Sequence, residues 1–112
     1  MGIINYDYLN DVTGGDQDIL KQVLAAYITH LPADLVELKR LVDIGDYANA
    51  GLMAHKVKSS ARILGIESAL WLAEIEKAAK TNTDTHIIPQ RLIDSERNLQ
   101  EALVEIQLIL NN

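Results

Sequence analysis

Cysteine and phenylalanine are both absent from this 112-residue chain. Without cysteine there is no disulfide, no thiolate metal site and no cysteine nucleophile, as suits a reducing compartment. No apolar run reaches the roughly 18 residues that a membrane-spanning helix requires. The first residues also lack the basic-then-apolar order of a secretory signal. A cytoplasmic location without direct membrane contact is therefore expected. Basic residues are in deficit, 10 Lys and Arg against 16 Asp and Glu, for a net charge of −6. A surface of that sign argues against a general nucleic-acid binder, because phosphate backbones select a basic face. Gly-rich phosphate loops, His-Glu-x-x-His and Gly-x-Ser-x-Gly are all missing, so no nucleotide site or hydrolase elbow is expected. None of the three histidines has Glu three positions before it, which removes the ligand pattern of a di-metal bundle. The chain is expected to hold no cofactor and no metal of its own.

What is present is helical. Hydrophobic residues make up 48% of the chain, enough for one core and one domain over residues 1–112. Apolar positions recur at three and four almost throughout, and no segment alternates with period two. A short first helix is expected over residues 5–11, stopped by Gly14 and Gly15. Asp16 is a good N-cap for the next run, in which Ile19, Leu20, Val23, Leu24, Tyr27, Ile28 and Leu31 share a face. Pro32 interrupts it, and Leu35, Leu38, Leu41 and Val42 resume it. The reading is one long helix kinked near Pro32, with two shorter helices as the alternative. Gly45 and Asp46 form a stop and a cap. A helix over about 47–64 buries Ala50, Ala54, Val57, Ala61 and Leu64, and ends at Gly65, where a left-handed residue is wanted. Another follows with Ser68, Trp71, Leu72, Ile75, Ala78 and Ala79 on one side. Residues 81–85 form a polar connection. Pro89 fits the first turn of a last helix with Leu92, Leu99, Leu103, Ile106 and Leu110 as its core stripe. Short connections make successive helices antiparallel neighbours. The expected fold is all-α, an antiparallel up-and-down four-helix bundle with a short extra N-terminal helix covering one end. A monomer is expected.

The chemistry concentrates on the helix that carries His55. Its helical neighbours are Gly51, Lys58, Ser59 and Arg62, two small and two cationic. Gly inside a helix costs roughly 1 kcal/mol relative to Ala, so Gly51 needs a reason, and clearing space beside the imidazole is one. Ser59 clears the other side. Both are expected to face solvent, so that Leu at either position would leave the bundle folded. Lys58 and Arg62 place positive charge where a phosphorylated side chain would gain nearly two negative charges. A neutral imidazole with an open approach is a suitable nucleophile for in-line attack on phosphorus. On geometry alone a plainer alternative stands: a solvated surface histidine, a close helix contact at Gly51 and ordinary surface charges. His30 and His86 read as surface or capping residues. Trp71 and the tyrosines read as packing residues.

The segment His55-Lys56-Val57-Lys58-Ser59-Ser60, followed by Leu64-Gly65, resembles the signature of histidine-containing phosphotransfer (HPt) domains, in which His-x-Leu-Lys-Gly-Ser leads to a Leu-Gly or Ile-Gly helix end. The resemblance covers nearly the whole chain. It implies phosphorylation of His55 on Nε2, with Lys58 stabilising the phosphoryl group. It further implies partners that are response-regulator receiver domains, which supply the Mg²⁺. Ser59 departs from the common Gly. The family often places a Gln or an acidic residue on the next helix to orient the ring, and here Glu76 and Lys77 are the alternatives. By this resemblance the chain relays a phosphoryl group between receiver aspartates and has no ATP site. It is expected either to stand free or to be the C-terminal piece of a hybrid sensor histidine kinase, the cytoplasmic part of a membrane-bound protein. The competing functional reading is a structural or protein-interaction bundle without covalent chemistry.

Overall fold

A computed structural model describes residues 2–111. Helix α1 (Tyr6–Thr13) starts at Asn5, whose Oδ1 accepts from the Asp7 amide at 3.0 Å. It stops at Gly14, which takes φ +64°, a conformation that costs glycine little. This helix runs two residues past the sequence expectation. Thr13 belongs to it because its hydroxyl donates to the Leu9 carbonyl at 2.9 Å, in a buried setting.

Helix α2 (Gln17–Asp43) is capped as expected, with Asp16 Oδ1 accepting from the amides of Asp18 and Ile19 at 2.8 and 3.1 Å. It is one continuous helix through Pro32. Pro32 is exposed, so its ring sits on the outer side of the helix and displaces no core side chain. The buried stripe is Leu20, Leu24, Leu31, Leu35, Leu38, Leu41 and Val42, whereas Ile19 is exposed. Asp46 caps α3 (Tyr47–Leu64), and Gly65 at φ +64° ends it. Helix α4 (Ser68–Thr81) is capped from a distance: Asn98 Oδ1 accepts from the Ser68 amide at 2.9 Å. A single 3₁₀ turn (Thr85–Ile87) leads into α5 (Ile88–Leu110), with Pro89 in its first turn. The buried residues of α5 are Ile88, Leu92, Ser95, Leu99, Ala102 and Ile106. Leu103 and Leu110 are only half-buried, so the stripe is centred slightly off the expected one.

Among the described residues there are helices and no strands. Helices α2 to α5 pack in sequence around one core, and α2 against α5 closes the ring. The product is an elongated bundle of 42 × 23 × 22 Å. Helix α1 lies across one end against α2 and α3, where fully buried Leu9 enters the core and the Asn5 amide donates to the Leu64 carbonyl at 2.9 Å. The segment before α1 is tied to α5 by Glu105, whose carboxylate accepts from the amides of Ile3 and Ile4 and from the Tyr6 hydroxyl. Burial and this neighbouring anion push the Tyr6 phenol up to about 12. Among the described residues no helix is long and apolar enough to cross a membrane.

Candidate functional site

Helices α3 and α4 share the most extensive contact of the bundle, and small residues are prominent among the buried ones of α3. Ala50, Gly51, Ala54 and Ala61 on α3 are buried, as is Ala78 on α4. Small side chains let helix axes approach closely. That approach brings an α4 side chain within reach of the exposed face of α3.

His55 stands on that face with its side chain 63% exposed. Its Nδ1 lies 3.0 Å from both carboxylate oxygens of Glu76. Lys58 Nζ lies 2.9 Å from Glu76 Oε2. Of the two expected candidates on α4, Glu76 therefore reaches the ring, and Lys77 is exposed. The Lys58 ammonium is the main cause that holds the Glu76 carboxyl below the usual glutamate range, against some opposition from desolvation and with further help from His55. An ionised carboxylate only accepts. In the neutral ring Nδ1 is then the donor, and the lone pair lies on Nε2. Nε2 has no hydrogen-bond partner among the described residues, and the ring is open to solvent.

The other neighbours divide according to helical phase. Residues turn about 100° apart, so positions four before and four after His55 lie about 40° to opposite sides of it. Gly51 falls toward α4. A Cβ at this glycine would sit 2.8 Å from Ala79 Cβ. Gly51 is thus buried in the α3–α4 seam, and the expectation that it faces solvent is corrected: the small residue makes room for a helix, not for a partner. Lys58 lies about 60° to the same side, which explains why it is mostly covered and reaches Glu76.

Ser59, on the opposite side, is exposed as expected. Its hydroxyl is turned back on its own helix, donating to the His55 carbonyl at 3.2 Å. Arg62 is exposed and has no carboxylate within ion-pair distance among the described residues. It lies within about 20° of the His55 direction, and helical side chains lean toward the N-terminal turn, here toward His55. The two cations are therefore unlike: Lys58 is held by a carboxylate, whereas Arg62 is not.

Beyond Ser59 runs an open groove of about 690 Å³ between α1, α3 and α4, lined by Tyr8, Ser59, Arg62, Ile63, Ile66 and Leu70. Tyr8 and Leu70 are 53% and 72% exposed, so the apolar rim is unpartnered in the isolated chain. Tyr8 was not legible as part of this face, because the docking of α1 beside α3 depends on long-range contacts. His30 and His86 are exposed on α2 and in the 3₁₀ turn.

Comparison with curated proteins and with solved structures returned no match. Comparison with protein-family models matches residues 22–109 to the Hpt domain. That span holds the whole of α3 and α4, and with them His55, Lys58 and Glu76. The chain belongs to the Hpt domain family, whose members carry phosphoryl groups on histidine in phosphorelays.

Proposed function

We propose that His55 is the residue phosphorylated, and that it takes the group from a receiver-domain aspartyl phosphate and passes it to the aspartate of a response regulator. The observation that carries this reading is the hydrogen bond between Nδ1 and Glu76. With the proton fixed on Nδ1, Nε2 attacks phosphorus without first losing a proton. The N–P bond forms as the aspartyl O–P bond breaks, and the aspartate leaves as a carboxylate. The ring becomes cationic with Nδ1–H still in place, and Glu76 faces that new charge. Return transfer reverses each step. Mg²⁺ belongs to the partner in this scheme.

Lys58 and Arg62 compensate the phosphoryl charge. Lys58 has a flexible stem, and swinging its ammonium from Glu76 to a phosphoryl oxygen exchanges one ion pair for another. Arg62 needs no such exchange. The receiver docks over His55, Ser59 and Arg62 with its edge in the groove rimmed by Tyr8 and Leu70, which supplies the apolar area that a stable encounter requires.

The test is incubation with phosphorylated receiver domains. Wild-type protein acquires acid-labile, base-stable label, and His55→Gln acquires none while remaining folded. Absence of label on the wild type with every receiver tried would leave the purely structural bundle as the better account.

A further inference from the structure

Gly51 sits one helical turn before His55, and Ala79 sits one turn after Glu76. The helices are antiparallel neighbours, so the Gly51–Ala79 contact lies immediately beside the His55–Glu76 hydrogen bond in the same seam. A methyl on Gly51 would meet Ala79 Cβ at 2.8 Å, whereas carbon atoms rest at about 3.5–4.0 Å. The obstacle is a Cβ fixed to the α4 backbone and has no rotamer with which to move aside. The Glu76 carbonyl, 3.8 Å from the same point, lies in ordinary contact. Any extra atom at position 51 must therefore push α4 outward at the turn that carries Glu76.

We propose that Gly51 and Ala79 form a spacer that fixes the tautomer of His55: by setting the α3–α4 distance at this turn, they hold the Glu76 carboxylate within hydrogen-bond reach of Nδ1. The gap between carboxylate and ring is 3.0 Å, and hydrogen bonds weaken steeply beyond about 3.2 Å. A displacement of several tenths of an ångström is enough to loosen it. The ring is mostly exposed, so no other packing holds its orientation when Glu76 withdraws. Gly51 is a positioning residue in this scheme. It touches neither phosphorus nor the imidazole and acts only through Glu76. The proposal rests on the proposed role of His55 for its bearing on transfer, but its structural claim concerns the unphosphorylated protein.

That separation governs the experiment. Histidine ring ¹⁵N spectra of the free, unphosphorylated protein are recorded above the titration range of the ring, for wild type, Gly51→Ala, and the exchanged pair Gly51→Ala/Ala79→Gly. Wild type is expected to show the proton on Nδ1 of His55. Gly51→Ala is expected to shift the population toward Nε2–H and to slow transfer at least several-fold. The exchanged pair moves the methyl from α4 to α3 and is expected to recover both readouts. A merely structural glycine would lower the melting temperature of Gly51→Ala and leave the tautomer unchanged, and that result overturns the proposal. If Gly51→Ala does not fold, the exchanged pair decides: a folded protein with Nδ1 protonated supports the spacer, and one without it contradicts the spacer. Wild type with the predicted tautomer but no phosphotransfer would count against the role of His55 and not against the spacer.

Discussion

Lys58 and Glu76 form a 2.9 Å ion pair, with side chains only 16% and 26% exposed. The cation expected to greet the phosphoryl group is thus already occupied before the group arrives. In the proposed scheme Lys58 acts at two moments: it pairs with the Glu76 carboxylate in the resting protein and moves to the phosphoryl oxygens afterwards. Lys58→Ala should slow transfer by at least about tenfold, as loss of one preorganised charge-stabilising donor does. It should cost no more than about 1 kcal/mol of stability, in the range for a partly exposed ion pair. Initial transfer rates and urea midpoints measure the two effects. An unchanged rate would mean that Arg62 alone meets the phosphoryl charge.

The ionisation of Glu76 has a pH signature. Its carboxyl is held below the ordinary glutamate value by Lys58 first and His55 second. A folded-state value below the unfolded one contributes stability that is complete above the unfolded value of about 4.3 and is lost as pH falls through the depressed one. Glu76→Gln lacks this contribution. At neutral pH it should be the less stable protein, and the gap should close as the pH falls below the ordinary glutamate range. Chemical denaturation across that range, wild type against Glu76→Gln, checks the sign. Parallel curves would show that the carboxylate gains nothing from its partners.

The ends of the helices were legible because they are written locally. Asp16, Asp46, Gly65 and Pro89 each act on amides or carbonyls within a few residues, and each stands where the sequence placed it. The candidate site was legible in part for a similar reason: His55, Lys58 and Arg62 share one helix. Which side of that helix faces α4 was not legible, because the helical offsets of Gly51 and Ser59 are equal and opposite. Only the partner helix distinguishes them. The Lys58–Glu76 pair was hidden for the same reason, as was the cap that Asn98 places on α4 from 30 residues away.

That asymmetry predicts opposite outcomes for two substitutions that look alike in the sequence. Ser59→Leu places its side chain on the exposed side. It should leave the melting temperature nearly unchanged and block docking, so transfer falls while the helical signal persists. Gly51→Leu drives a large side chain against Ala79. Overpacking of a well-filled seam typically costs about 1–3 kcal/mol, and here the immovable obstacle places it at the upper end or beyond. Paired melting curves and transfer rates check both. A Gly51→Leu protein as stable as wild type would contradict the close α3–α4 contact.

In the proposed relay Nε2 of His55 bears the phosphoryl group while Nδ1 keeps its proton and donates it in a hydrogen bond to the Glu76 carboxylate. Protein labelled with ¹⁵N in its histidine rings and phosphorylated from a receiver domain tests it directly. The predicted spectrum shows nitrogen–phosphorus coupling at Nε2 of His55 alone, with Nδ1 protonated. Coupling at Nδ1 of His55, or at either nitrogen of His30 or His86, would contradict the account.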